Sequence, residues 1–312
     1  MHEVKQIEGK GLGIVAVKDI SKGSLILKEP PQMSHVEPQN IHGRHEALKI
    51  WMKEVVSLFN RMNLADQAEY MKLHSHFQNE KFLSLIPEFL GLINTVDCDG
   101  KKADEILKII GIYAGNNFEN GLSIQISRFN HSCKPNAVNS EFNEVWAVCN
   151  IKAGQEITIS YKEDGLFGLR STRNRQEILL QTWGFTCNCE LCQESDDDEQ
   201  TTIQSEIQEL IKETEKLQPE TPEKCRQLID TYKQLYKLGK RMKAPLTCLY
   251  RVLKNGYETS DYGYQICRFT DQNKEEFKKD CISFSKAAEA FGKLLGKELV
   301  RPDRWKKLQS FE

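Results

Sequence analysis

Four cysteines carry the plainest chemistry in this chain. Cys133 sits in the run Asn130-His131-Ser132-Cys133-Lys134-Pro135-Asn136, and Cys187, Cys189 and Cys192 crowd into Cys-Asn-Cys-Glu-Leu-Cys. Cys-x-Cys-x-x-Cys presents three thiolates over six residues, whereas a structural zinc takes four ligands in a tetrahedron, so the fourth must come from elsewhere. Cys133 is the candidate, and on spacing alone His131 stays open as a substitute. Closing such a site would hold the Asn130-His131 pair beside a segment far downstream.

The setting supports a metal. With 312 residues, 39% of them hydrophobic, the chain has material for one large domain and a smaller one. A net charge of -2 gives no global attraction to nucleic acid or anionic membrane, so neither is expected as a partner. The start, Met1-His2-Glu3-Val4-Lys5-Gln6, has no apolar signal core, and no stretch has the length to span a bilayer. A nuclear or cytoplasmic chain, not secreted, is the expectation. In a reducing compartment ten cysteines favour a metal site over disulfides. The remaining six, Cys98, Cys149, Cys225, Cys248, Cys267 and Cys281, are expected to be small buried apolar groups.

The elements that must position these residues alternate in type along the chain. Leu12 to Val17 and Ser24 to Lys28 read as two strands of a hairpin-like start, separated by Ser21-Lys22-Gly23. Leu48, Trp51, Met52, Val55, Val56 and Phe59 recur at spacings of three and four, which predicts an amphipathic helix. Further helices are expected over Ala65 to His74, Lys81 to Leu92 and Ala103 to Ile112. Residues 35–112 therefore read as a helical insertion in a β-rich unit. Strand character returns at Glu144 to Cys149 and Glu156 to Tyr161, around the turn Lys152-Ala153-Gly154. Ser171 to Trp183 predicts a helix stopped by Gly184. The acidic run from Glu194 to Glu199 reads as a linker. Beyond it, apolar stripes predict helices: Ile203, Ile207, Leu210, Ile211 and Leu217; then Cys225, Leu228, Ile229, Tyr232, Leu235 and Tyr236 after the cap Thr221-Pro222; then Phe277, Cys281, Phe284, Ala287, Ala288, Phe291, Leu294 and Leu295.

Asn130 to Asn136, Glu156-Ile157-Thr158-Ile159-Ser160-Tyr161 and Phe185-Thr186-Cys187-Asn188-Cys189-Glu190-Leu191-Cys192, in that order, resemble the SET-domain protein-lysine methyltransferases with a zinc-binding post-SET segment. Glu8-Gly9-Lys10-Gly11-Leu12-Gly13 looks like the glycine-containing motif that opens the same domain. Within the family the chain looks closest to the SET and MYND domain group, because Asn116-Asn117-Phe118 and a helical C-terminal region also fit. It departs from that group in one respect. No cysteine precedes Cys98, so the MYND finger is missing; His35, His42, His45, His74 and His76 are expected on the surface.

The resemblance implies an α+β fold: a β-rich SET domain of short strands with a helical insertion, a zinc-stapled post-SET segment and an α-helical C-terminal domain. Its divisions would be 1–34 and 113–170 for the two parts of the SET domain, 35–112 for the insertion, 171–193 for the post-SET helix and zinc segment, 194–200 for an acidic linker and 201–312 for the helical domain. It implies S-adenosyl-L-methionine as methyl donor and one structural zinc on Cys133, Cys187, Cys189 and Cys192. Gly9, Lys10, Gly11, Leu12, Asn116, Asn130, His131, Tyr161 and Phe185 match the family's cofactor contacts, with Asn117 as an alternative register to Asn116. Tyr161 matches the catalytic tyrosine. Phe129 and Ile159 fall near the lysine channel, although Phe129 serves equally as core. The implied reaction is methyl transfer to a lysine amine of a histone or other protein, so the implied partner is a lysine-bearing protein substrate. A catalytically silent SET-like scaffold is the alternative, because Glu8 stands where a basic residue is usual and losing it would weaken the hold on the cofactor's carboxylate. A zinc module for nucleic acid is disfavoured by the near-neutral charge and the lack of a basic, aromatic-rich stripe.

Overall fold

The computed structural model describes residues 1–37, 44–78, 86–94, 100–118, 120–140, 143–162, 166–194, 198–267 and 274–294. Strands β1 (His2–Ile7) and β2 (Gly11–Ala16) form an antiparallel hairpin. β4 (Asn130–His131), β5 (Ala137–Asn139), β6 (Glu144–Ala147) and β7 (Glu156–Ile159) follow later in the chain. β2 extends its sheet through β7, which lies parallel to β4, in the order β1-β2-β7-β4. A second sheet, β3-β6-β5, begins with β3 (Leu25–Lys28). Ile14, Ala16, Ile26, Phe129, Val145, Ala147, Ile157 and Ile159 form the common core of these strands.

This pairing corrects the expected hairpin between Leu12–Val17 and Ser24–Lys28. Both segments contain strands, but β2 pairs with β1 and β7 whereas β3 pairs with β6. The chain between them is diverted by a bridge from Ile20 to Ile151, which carries β3 to the other sheet. Similarly, the turn at Lys152-Ala153-Gly154, with Gly154 at φ 83°, links β6 to β7 without making them neighbours. β1 escapes the sequence because it is an edge strand whose four middle residues are all exposed, so no alternation marks it.

Helices α1 (Arg44–Arg61), α2 (Leu64–Tyr70), α3 (Ile86–Ile93) and α4 (Ala103–Asn116) occupy the region read as an insertion. The predicted start of α3 at Lys81 falls partly on 81–85, outside the described residues. Trp51, Met52, Val55, Val56 and Phe59 of α1 pack with Ile106, Ile109, Ile110 and Tyr113 of α4, and Met33, Leu122 and Ile124 from the flanking chain close the same core. Two polar ties join this core to the chain that leads out of β3 and into β4: the Tyr113 hydroxyl donates to the Ser34 carbonyl at 2.7 Å, and Arg128 Nη2 meets Glu69 Oε2 at 3.3 Å.

Helix α5 (Thr172–Trp183) has both predicted ends. The Ser171 hydroxyl accepts from the Asn174 N–H, and Gly184, at φ 76°, returns its N–H to the Leu179 and Leu180 carbonyls. The short α6 (Glu190–Gln193) follows, then α7 (Asp198–Lys216), α8 (Pro222–Arg241), α9 (Leu246–Ile266) and α10 (Lys274–Leu294). α7 begins inside the run read as a linker, and 195–197 lie outside the described residues. α9 carries no stripe that the sequence reading singled out. Its face toward α10 includes Gly256 and Gly263, where an added Cβ would lie 2.5 Å from the rings of Phe284 and Phe277. Leu166 and Leu169, on the chain leaving β7, enter the core of α7–α10, so the C-terminal helices dock directly on the exit from the sheet.

Cys225, Cys248, Cys267 and Cys281 are buried as expected, Cys149 is exposed, and Cys98 falls outside the described residues. His35, His45 and His74 are exposed; His76 is not, and burial pushes it down to about 4. His42 lies outside the described residues. Among the described residues no helix is long and apolar enough to cross a membrane.

Candidate active site and metal centre

The turn between β1 and β2 forms one wall of the site. Gly9 and Gly11 have φ of 70° and 75°, a left-handed backbone that glycine alone adopts cheaply. A Cβ at either would meet nothing within 4 Å, and Leu12 is 43% exposed, so the tip is an open, partly apolar cradle. Two residues on, Gly13 is different. A Cβ there would stand 2.6 Å from Asn130 Nδ2 and 2.7 Å from Ile7 Cγ1. The absent side chain is what admits the Asn130 amide, which donates to Glu156 Oε1 at 2.8 Å. Lys10 Nζ reaches Oε2 of the same carboxylate at 2.6 Å.

β4 brings His131 alongside β7 and thus toward Tyr161. The Tyr161 N–H donates to His131 Nδ1 at 3.0 Å, so Nδ1 is the bare nitrogen and Nε2 carries the proton. Nε2 faces Cys133 Sγ at 3.4 Å. Both ring nitrogens therefore have partners inside the protein, and only the main chain of His131 is left to meet a ligand. The ring is 4% exposed, and burial pushes it down to about 4, keeping it neutral at physiological pH.

The Tyr161 hydroxyl donates to the Phe129 carbonyl at 2.9 Å. Burial first, then the Glu156 charge, pushes this phenol well above its ordinary range, so it stays protonated. Its proton is committed to Phe129, which leaves the oxygen lone pairs as acceptors. Trp183 and Phe185 wall it at ring-centroid distances of 5.5 and 6.2 Å, and Phe185 also approaches His131 at 6.0 Å. Phe129 and Ile159 are fully buried among the strands, so their side chains are core. The turn that delivers Phe129 is held by buried Glu29, which accepts from the Gln125 and Ile126 N–H groups at 2.9 and 3.1 Å.

The four cysteines converge, their sulfurs all within 4.8 Å of one another. Cys133 Sγ lies 3.9 Å from Cys187 Sγ and 3.6 Å from Cys192 Sγ. A tetrahedron with metal–sulfur bonds of about 2.3 Å has sulfur–sulfur edges of about 3.8 Å, so the donor set fits one metal ion. Cys133, rather than His131, completes the group.

Arg175 of α5 adds an independent sign of negative charge here. Its side chain is buried, with 3% exposure, and its guanidinium donates to the Arg170 and Leu191 carbonyls, the Thr172 hydroxyl and Cys192 Sγ. None of these partners is a carboxylate. Burial works against its charge, but the Cys192 and Cys133 sulfurs outweigh that and raise its pKa. A buried cation without a carboxylate calls for a counter-charge, and four thiolates around one divalent ion retain two negative charges.

Lys10, Asn130, His131, Tyr161, Phe185 and the cysteines thus form one connected group. Asn116 faces elsewhere: its Nδ2 donates to the His74 and Ile112 carbonyls, within the helical insertion. Asn117 Nδ2 meets His35 Nδ1. Glu156, Trp183 and Arg175 were missed by the sequence reading. Glu156 lay in the quoted strand motif, and Trp183 and Arg175 in the quoted helix, but nothing local marked which of their neighbours they would meet.

The SET-domain family profile matches residues 11–162. A SET domain-containing protein of Acanthamoeba polyphaga mimivirus is 30% identical over 200 residues, covering 61% of this chain and 76% of that protein. The chain belongs to the SET-domain family. A histone-lysine N-methyltransferase of Scheffersomyces stipitis is 33% identical over 96 residues, and a protein-lysine N-trimethyltransferase of Mus musculus 41% over 91; these matches cover 29% and 28% of this chain. They span only 19% and 22% of those two relatives. The crystal structure of the SET domain of LSMT bound to lysine and AdoHcy overlays with TM-score 0.35 at 12% identity, over 94% of this chain and 86% of that one.

Proposed function

We propose that this chain is an S-adenosylmethionine-dependent protein-lysine N-methyltransferase acting on a histone or another protein, in the nucleus or cytoplasm, with one structural zinc on Cys133, Cys187, Cys189 and Cys192. The observation that carries it is the setting of Tyr161, a phenol that burial keeps protonated, whose hydroxyl donates to the Phe129 carbonyl and whose ring packs beside Trp183 and Phe185. The donor supplies an activated methyl group on a sulfonium. Transfer to an amine is an in-line displacement, in which alignment is the larger part of the acceleration. The Tyr161 oxygen accepts from the incoming amine and orients its lone pair. Trp183 and Phe185 exclude water, which favours the neutral amine by desolvation. No side chain is needed as a strong base, and Tyr161 is not one.

The opening turn at Gly9 to Leu12, the Lys10 ammonium, the Asn130 amide and the main chain of His131 would hold the donor, and Phe185 would face its adenine. A role for Asn116 requires its amide to leave the His74 and Ile112 carbonyls. The helical domain would cover one side of the substrate groove; it is held against the chain leaving β7, where a Cβ at Gly168 would lie 2.3 Å from the Cys248 sulfur.

The test is calorimetry with S-adenosylmethionine, followed by labelled methyl transfer to histones and cell extract. Binding and label incorporation are expected; folded, zinc-loaded protein that binds no donor would overturn the proposal. Tyr161→Phe keeps the ring but loses the acceptor, and should lower kcat by about a hundredfold or more with donor affinity nearly unchanged. Unchanged turnover would remove Tyr161 from the mechanism. Gly13→Ala forces Asn130 or Ile7 aside. It is expected to weaken donor binding about tenfold with a melting temperature only a few degrees lower, and equal affinity would show that Asn130 does not need its observed position.

A further inference from the structure

Glu156 begins β7, with its backbone opposite Val15 of β2, so the sheet is already registered there without its side chain. Yet its carboxylate bridges the two polar groups that face the opening turn, Oε2 to Lys10 Nζ at 2.6 Å and Oε1 to Asn130 Nδ2 at 2.8 Å. Its charge also reaches Tyr161. The carboxylate therefore joins Lys10 of the glycine turn to the Asn130 amide.

The amino-acid end of S-adenosylmethionine carries a carboxylate and an ammonium on one carbon. Lys10 complements the first and leaves the second without a counter-charge. We infer that Glu156 is the ligand for the donor's ammonium, so that the zwitterion inserts between Lys10 and Glu156 and exchanges one internal ion pair for two intermolecular ones. This assignment rests on the methyltransferase reading. The exchange costs little, because the one pair it breaks, with the Lys10 side chain 44% and the Glu156 side chain 18% exposed, is replaced by two. Asn130 keeps its bond to Oε1 throughout and fixes the carboxylate in place, in the room that Gly13 leaves. The arrangement also answers the acidic Glu8: that residue is exposed near the tip, and the cation the site needs is supplied by Lys10.

Three probes separate the charges. S-adenosylhomocysteine carries both, decarboxylated S-adenosylmethionine has an ammonium without the carboxylate, and methylthioadenosine has neither. In calorimetric titrations of the metal-loaded protein, Glu156→Gln is expected to weaken the first two about tenfold or more and leave methylthioadenosine unchanged. Lys10→Met should weaken S-adenosylhomocysteine alone. Glu156→Asp, which keeps the charge on a shorter arm, should show the Glu156→Gln pattern at smaller amplitude and stands in for it if that variant does not fold. Equal weakening of all three probes, or of none, overturns the assignment and leaves Glu156 a structural strut. Wild-type protein that binds none of them overturns the methyltransferase reading itself.

Discussion

Cys187→Ser protein is expected to lose its zinc and, with it, binding of the methyl donor, while most of its helical signal remains. Structural zinc sites contribute about 10–16 kcal/mol of apparent binding energy through four ligands, so replacing one thiolate by a hydroxyl should weaken the site by several orders of magnitude. What collapses is local. Cys133, Phe167, Leu179 and Cys187 form a small core of their own, with Trp183 and Phe185 packed on it, separate from the cores of α1–α4 and α7–α10. The Cys187 carbonyl also accepts from Gln176 Nε2 at 2.9 Å and the Leu191 carbonyl from Arg175 Nη2 at 3.1 Å, so two hydrogen bonds to α5 and the cysteine cluster together place the segment that follows Phe185. Native mass spectrometry gives zinc content, calorimetry donor affinity and far-ultraviolet circular dichroism the surviving helix. Full zinc occupancy in this variant would remove Cys187 from the ligand set.

Arg175→Met should release metal to a chelator about 10–100-fold faster than wild type, with Arg175→Lys in between. Methionine fills the volume, so the effect measures charge and hydrogen bonds. Its removal leaves the Leu191 carbonyl and the Cys192 sulfur without their donor and an anionic centre without its buried cation, a change that costs about 3–5 kcal/mol where a buried pair is broken. Methionine also loses the hydrogen bonds to the Arg170 and Leu191 carbonyls and the Thr172 hydroxyl, which lowers the melting temperature with or without metal, so the chelator rate is the readout that reports on the charge. Unchanged chelator kinetics in folded Arg175→Met protein would show that the arginine does not neutralise the centre.

Local signals in the sequence were read well where one segment contains its own cause. Helix α5 carries its cap at Ser171 and its stop at Gly184, and the cysteine triplet has a spacing that only a few chemistries explain. The hairpin at the start was misread because pairing is decided by distant partners: β2 chooses β1 and β7, and nothing between Leu12 and Lys28 records that. α9 was overlooked for a steric reason. The face it turns to α10 includes Gly256, Ser260 and Gly263, small residues that give no hydrophobic signal because the Phe277 and Phe284 rings of the neighbouring helix supply the bulk. At the site, Tyr161, Asn130 and the cysteines were legible through motifs. Glu156 and Arg175 were not, since an acidic strand residue and a basic helix residue look ordinary until their partners, 146 residues away from Glu156 in the case of Lys10, arrive beside them.

That long separation has a consequence for how the protein comes into being on the ribosome. The proposed donor site would need residue 10 against residue 156, the parallel pairing of β4 with β7, and then the cysteines at 187–192. Contacts this distant are slow to form, because each closes a large loop before any binding energy is returned. The helical core of α1–α4 lies wholly inside the largest of these loops and has its own apolar residues, so it is able to condense while the flanking strands are still unpaired. A nascent chain halted before Tyr161 would thus hold a folded middle and no site. On the proposed function, competence would be the last property acquired, arriving when the two ends of the SET region meet and the four cysteines come together.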